Sequence, residues 1–155
     1  MIKVSQQAPE FVLPDTEKAF HKLSDYKGKA VLLLFYPFAF TGTCTAELCA
    51  TRDDIAYYDG INAQVLGISV DSPFANGKFK EEQKINFPLL SDFNKEAMIA
   101  YDCMYEVFAA GTKGVAKRSA FVIDKDGIVQ YAEVLENASE IPNFEAIKQC
   151  LNNLA

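Results

Sequence analysis

The run Ala30-Val31-Leu32-Leu33-Leu34-Phe35-Tyr36 carries no charge, and the tyrosine hydroxyl is its single polar side-chain group. A stretch this short and this apolar has no face to turn to water. It reads as a β-strand buried on both sides at the centre of a sheet. Pro37 ends it, because proline has no N–H to give to the ladder. Gln64 to Val70 (QVLGISV) is a second buried strand. Thr43 to about Tyr58 has the period of a helix, with Leu48, Thr51 and Ile55 on its inner side. Pro73 to Lys84 reads as another helix, opened by Ser72-Pro73. Phe87 to Leu90 is a short extended piece and Lys95 to Tyr101 a short helix. Ser119–Ile123 and Ile128–Tyr131 flank Asp124-Lys125-Asp126-Gly127, and Asp-Gly between two β-rich runs signals a hairpin. Ile141 to Leu154 closes the chain as an amphipathic helix.

This alternation places the chain in the α/β class, with a central mixed β-sheet flanked by helices. The order of strand, helix, strand, helix, hairpin and last helix fits a thioredoxin-like fold. The length of 155 residues suits a single domain over 1–155. A domain of this size buries roughly 70% of the surface its unfolded chain exposes, so it needs neither disulfides nor a structural metal to fold. The net charge of −6 argues against a nucleic-acid partner or an anionic membrane surface, where Lys and Arg must neutralise phosphates. The longest uncharged apolar stretch, Ala30 to Phe40, falls short of the roughly 20 residues that span a bilayer. The start, Met1-Ile2-Lys3-Val4-Ser5, lacks the apolar core of a signal peptide. The expected location is the cytoplasm, where thiols stay reduced. The four cysteines therefore raise the question of which one reacts.

Cys44 stands in the informative place. A buried strand ends at Pro37, a short apolar loop with Gly42 follows, and the cysteine falls at the start of a helix. The first helical N–H groups have no partner within the helix, and they stabilise an anion. A cysteine there is set up to react as the thiolate, the species that attacks peroxides and disulfides. Thr41 lies three residues before it, within reach of the sulfur or of a bound oxygen. The bland alternative is a small buried hydrophobe, a common fate of free cysteine. Tyr36, Phe38 and Phe40 fit either a pocket wall or core packing.

Pro37-x-x-x-Thr41-x-x-Cys44 resembles the peroxiredoxin active-site motif, with each fixed position filled. Thr45-x-Glu47, Arg52-Asp53, Gly67 to Asp71, Phe87 to Asp92 and Arg118 to Asp124 extend the resemblance in order along the chain. The family is that of the alkyl hydroperoxide reductases and thiol-specific antioxidants. The resemblance implies a peroxidase that uses no metal, haem or other cofactor. Cys44 would be the peroxidatic cysteine, becoming a sulfenic acid as water or an alcohol leaves. Pro37 would shield the sulfur, Thr41 would bond the sulfur and the peroxide, and Arg118 would favour the thiolate and hold the transition state. A guanidinium suits that task, being always charged and carrying a fork of donors. The N–H groups of Thr43 and Cys44 would bind the oxygen that gathers charge. Glu47, one turn after Cys44, would orient an arginine, either Arg118 or Arg52; a solvated ion pair is the plainer reading.

Cys49 sets the spacing Cys44-x-x-x-x-Cys49, which resembles the Q-type peroxiredoxins, also called bacterioferritin comigratory proteins. Residues five apart on an intact helix differ by about 140° and ~7.5 Å in rise, so a Cys44–Cys49 disulfide requires the helix to unwind. Phe38 to Gly42, Phe87 to Phe93 and Tyr105-x-Val107-Phe108 look more like the alkyl hydroperoxide reductase E type, whose members often lack an internal resolving partner. Cys49, Cys103 and an external thiol thus all stand open as the resolving group. Cys150 falls in the last helix. The implied partners are a peroxide substrate and a thioredoxin-like protein or low-molecular-weight thiol. The Phe38–Phe40 loop and Phe74 fall where the family that this chain resembles dimerises across the active-site face, which implies a homodimer; burial of these rings within one subunit is the alternative.

Other functions compete with this reading. A thiol–disulfide exchange enzyme would show Cys-x-x-Cys, and Cys44-Thr45-Ala46-Glu47 lacks the second cysteine. A redox sensor or holdase on the same fold would oxidise fast and turn over slowly. The cysteine spacings match no common zinc pattern, and Asp124-x-Asp126-Gly127 lacks the other ligands of a calcium loop. His21 reads as a surface residue on an early strand or turn. Asn137-Ala138-Ser139 matches a glycosylation acceptor that a cytoplasmic chain would not use.

Overall fold

The computed structural model describes residues 2–155. Its strands are β1 (Val12–Pro14), β2 (Phe20–Lys22), β3 (Ala30–Phe35), β4 (Ala63–Ser69), β5 (Leu89–Ser91), β6 (Met104–Tyr105), β7 (Val115–Ala116), β8 (Ser119–Ile123) and β9 (Val129–Val134). Its α-helices are α1 (Gly42–Asp53), α2 (Ile55–Gly60), α3 (Pro73–Gln83), α4 (Glu96–Ala100) and α5 (Phe144–Leu154). The main sheet runs β5-β4-β3-β8-β9, with β3, β4 and β5 parallel and β8 and β9 antiparallel to their neighbours. The expected mixed sheet is the observed one.

The apolar run at Ala30 occupies the centre of that sheet because both its faces are covered. Leu33 and Phe35 point into one core with Leu66, Ile68 and Phe121; Leu32 and Leu34 point into the other with Val65, Cys44 and Leu48. Each such side chain, fully buried, stabilises the fold by about 1.5–3 kcal/mol. Gly67 has a packing reason of its own. A Cβ there would lie 2.7 Å from Leu89 Cδ2 and 3.3 Å from Tyr36 Cε1. The glycine lets the aromatic ring and the edge strand close over β4.

The expected helix from Thr43 to Tyr58 is two helices. Asp54 at the junction has φ −97° and ψ 8°, and its N–H is shared between the carbonyls of Ala50 and Thr51. Its carboxylate takes Lys148 Nζ on α5 at 2.6 Å. Helix α3 begins at the Ser-Pro pair, and Ser72 Oγ accepts from Ala75 N at 3.1 Å. Helix α5 starts three residues later than expected, capped by Asn143 Oδ1 on Ala146 N. The hairpin turn is built as its sequence suggested. Asp124 Oδ1 accepts from the N–H groups of Asp126 and Ile128, and Gly127 takes φ +86°.

Two small sheets carried no periodic signal, β1 with β2 and β6 with β7. His21 lies on β2 as a half-buried residue. Its ring bridges Asp15 Oδ2 at 2.8 Å and the Tyr26 hydroxyl at 2.6 Å, so it is not a plain surface group.

Candidate active site

Strand β3 carries the chain to Tyr36, whose N–H still reaches Ile68 O at 3.0 Å, and the ladder stops at Pro37. The loop from Pro37 to Thr41 then turns over the sheet edge. Pro37 is buried, and Phe40 sits at φ +68°, a left-handed conformation that costs a bulky residue energy. A buried polar network holds the loop in place. Ala39 N donates to Asp71 Oδ2 at 2.8 Å, and Ser69 Oγ donates to the same oxygen at 2.8 Å. Asn76 Nδ2 reaches Ser69 Oγ at 3.2 Å, and the Tyr36 hydroxyl donates to Asn76 Oδ1 at 2.8 Å. The end of β4 and the first turns of α3 thus pin the middle of the loop.

Helix α1 begins at Gly42, which makes Cys44 its third residue. The N–H groups of Gly42, Thr43 and Cys44 have no acceptor within the helix and face the loop end. The Cys44 side chain is 1% exposed. Arg118, just before β8, is also 1% exposed, and its Nη2 lies 3.2 Å from Cys44 Sγ. A guanidinium is always charged, so its contact with the sulfur is a charge-assisted one. Arg118 Nη1 donates to Glu47 Oε2, one turn along α1, and Nη2 also donates to Ala138 O at 3.0 Å. Glu47 therefore orients Arg118. Arg52 points elsewhere, to Asp53 Oδ1 at 3.0 Å and to Gln83 O.

Electrostatics at this cluster are governed by burial. Desolvation pushes the Glu47 carboxyl up to about 7 although Arg118 pulls it down. Burial lowers the Arg118 pKa, but Glu47 and the Cys44 sulfur more than offset that and leave it raised. Glu47 Oε1 and Arg118 Nε are the buried side-chain atoms without a hydrogen-bond partner among the described residues. Unpaired atoms of this kind in a native fold mark strain or a working site.

The residues expected at the site are brought together unevenly. Cys44, Arg118 and Glu47 converge, and Pro37 is buried at the end of β3. The Thr41 hydroxyl donates to Phe38 O at 2.9 Å and not to the sulfur. Cys49 lies on the same unbroken α1, with its Sγ 3.6 Å from Gln83 Oε1. Cys103 belongs to the core on the opposite face of the sheet, and burial pushes its thiol up to about 12. Cys150 Sγ contacts Gln130 O at 3.7 Å on α5. Tyr36 is core, whereas Phe38 packs on Phe108 and Phe40 is exposed. Sequence reasoning missed Asp71 and the Ala138 carbonyl. Asp71 closes the Gly67–Asp71 stretch, but a backbone carbonyl leaves no mark in a sequence.

A buried cysteine with an arginine on its sulfur, at a helix N-terminus on a thioredoxin-like sheet, defines a thiol-reactive protein. Residues 4–132 match the AhpC/TSA family, and the chain belongs to it. It is a peroxiredoxin, a thiol-dependent peroxidase. Alkyl hydroperoxide reductase E of Mycobacterium tuberculosis is 37% identical over 135 residues, covering 86% of each chain. Peroxidoxin BcpB from the same organism superposes with a TM-score of 0.88 at 28% identity, covering 100% of this chain and 99% of that one. A peroxiredoxin-like protein from Aquifex aeolicus gives 0.90 at 26% identity, covering 99% and 88%. No helix among the described residues is long and apolar enough to cross a membrane.

Proposed function

We propose that Cys44 is the peroxidatic residue of a single-domain enzyme. Its thiolate attacks the terminal oxygen of hydrogen peroxide or an organic hydroperoxide. The O–O bond breaks, the sulfur becomes a sulfenic acid, and the departing oxygen takes a proton to leave as water or an alcohol. The observation that carries this reading is Arg118 Nη2 at 3.2 Å from Cys44 Sγ, both groups out of solvent. Arg118 meets the charge moving from sulfur to oxygen, and the free N–H groups at the start of α1 face the same place. Buried Pro37, at the start of the loop, would shield the sulfur. Thr41 would release Phe38 O to donate to a bound peroxide.

The sulfenic acid is resolved by Cys49 or by an external thiol. Attack by the Cys49 thiol forms a disulfide and releases water, and a thioredoxin-like protein or small thiol then reduces the disulfide. This route requires α1 to unwind beyond Cys49 and to give up the Gln83 contact. The opposite-face position of Cys103 speaks against it as the resolving group. A cytoplasmic setting suits the reduced thiols, and exposed Phe40 and Phe74 suit a homodimer across the active-site side.

The test is intact-mass spectrometry after one equivalent of hydrogen peroxide, with Cys44→Ser and Cys49→Ser beside the wild type. Loss of two hydrogens that both variants abolish assigns the pair. A gain of one oxygen confined to Cys44 assigns the external-thiol cycle. Unchanged mass at Cys44 sinks the reading and leaves slow redox sensing or thiol exchange on the same fold.

A further inference from the structure

The Arg118 guanidinium makes a contact that the peroxidase chemistry itself does not require. Nη2 carries two hydrogens in one plane about 120° apart, in the fixed fork of an arginine. One points to Cys44 Sγ at 3.2 Å and the other to Ala138 O at 3.0 Å. The contact from Nη1 to Glu47 alone would leave the planar group free to pivot about that bond. A second fixed acceptor on Nη2 removes the pivot and sends the remaining hydrogen to the sulfur. The Ala138 carbonyl does this as a neutral group, so it aims the cation without cancelling its charge.

That carbonyl lies in a turn outside the helices and strands, and its side chains lock it. Asn137 Oδ1 accepts from Ser139 N at 3.0 Å and from Ser139 Oγ at 2.7 Å, while Glu140 N donates to Asn137 O at 3.1 Å. This is an Asx-turn inside a four-residue turn with Ala138 at its second position. The approach to the turn is tied down as well. Leu135 N donates to Arg118 O at 2.9 Å, and the Tyr105 hydroxyl donates to Glu136 O at 2.7 Å. Lys117 Nζ pairs with Glu136 Oε1. The anchors of the turn thus come from Arg118 itself, from its neighbour and from β6.

We propose that the Asn137–Glu140 turn is a clamp on Arg118, with Asn137 as a positioning residue that holds the Ala138 carbonyl where it directs the guanidinium onto Cys44. The Asn-Ala-Ser pattern there serves the geometry of the turn. The proposal rests on the reading of Cys44 as the reacting thiol.

The experiment compares Asn137→Ala, Asn137→Asp and Ser139→Ala, each alone and the first also with Arg118→Lys. Two rates are read: oxidation of Cys44 by hydrogen peroxide at pH 7, and its alkylation by iodoacetamide at pH 10. Alkylation expels iodide and leaves no peroxide oxygen for the guanidinium to meet, so it reports access to Cys44 and an intact α1. Asn137→Ala is expected to slow oxidation about tenfold and to change alkylation less than about twofold, the loss of about one aligned hydrogen bond. Asn137→Asp keeps the acceptor oxygen and restores oxidation to within about threefold. With Arg118→Lys already in place, Asn137→Ala adds nothing, because the two act through one contact.

A wild-type oxidation rate in Asn137→Ala overturns the clamp. So does an equal loss in the Arg118→Lys background, or a parallel fall in both rates. If Asn137→Ala does not fold, Ser139→Ala decides; it removes one of the two contacts to Asn137 Oδ1, and an unchanged rate there also overturns the clamp. Peroxide consumption that survives Cys44→Ser would instead remove the reading of Cys44. An inert Cys44→Ser beside a fast Asn137→Ala removes the clamp alone.

Discussion

Replacing Glu47 with glutamine changes how stability depends on pH, and the sign follows from burial. Glu47 is wholly buried, and its carboxyl in the folded chain is pushed from 4.5 up to about 7, chiefly by desolvation, against the pull of Arg118. Between these values the folded state holds a proton that the unfolded state has released. Unfolding then grows easier as pH rises through this window, because stability falls with pH wherever the native state binds more protons. The Glu47 contribution is fully present below the unfolded value and is lost as pH climbs through the folded one. At about 1.4 kcal/mol per unit, the displacement amounts to about 3 kcal/mol between pH 4 and pH 8. Glutamine has the shape of the protonated acid and does not titrate, so Glu47→Gln removes this slope. Urea unfolding of both proteins across that range is the assay. The stability of wild type relative to the variant should fall by about 3 kcal/mol as pH rises. Any constant offset from the exchanged hydrogen bond cancels in that difference. A flat difference would mean that Arg118 fully offsets the desolvation. A difference that rises with pH would mean the pair favours the charged carboxylate, and the burial argument would be refuted.

Arg118→Lys should slow peroxide oxidation of Cys44 by about 10- to 100-fold, since a hydrogen bond to a charged group is worth about 1.5–3 kcal/mol and lysine cannot serve Glu47, Cys44 and Ala138 from one plane. The chain has no tryptophan, so rapid-quench mass spectrometry is the readout, and a rate within about twofold of wild type would contradict the assigned role. Asp71→Ala strips the acceptor from Ala39 N–H and Ser69 Oγ, at a cost of about 1–3 kcal/mol for each buried donor. Hydrogen exchange at Ala39 should quicken, and unchanged protection would show that Asp71 does not hold the loop. Gly67→Ala drives a methyl to 2.7 Å from Leu89 Cδ2, overpacking that should cost about 1–3 kcal/mol and lower the melting temperature by roughly 5 °C. Unaltered melting would show that β5 yields freely.

The local parts of the site were readable because they depend on neighbours in the chain. The strand at Ala30, the stop at Pro37 and the helix start before Cys44 follow from apolar pattern, a missing N–H and the helical period. The Asp124 to Gly127 turn follows from its residue types in the same way. The helix beyond Cys44 was misjudged at one point. Its pattern runs on past Asp54, where the backbone turns at φ −97° and ψ 8° and a second helix starts. The small sheets β1–β2 and β6–β7 were missed because strands of two or three residues are too short to show a period.

The buried mixed sheet and the cysteine at a helix N-terminus are both legible in the residue pattern. Those outcomes rest on burial and on backbone donors that any chain with this pattern would have. The motif also pointed to Arg118. Where the arginine points depends on contacts made across the folded chain. Glu47 and not Arg52 meets it, Ala138 supplies the second acceptor, Thr41 turns to Phe38, and Cys103 lies across the sheet. A guanidinium takes its direction from acceptors far apart in the chain, and one of these is a backbone carbonyl that every residue carries. Direction of this kind has no signature in residue types and exists only once the chain has closed on itself.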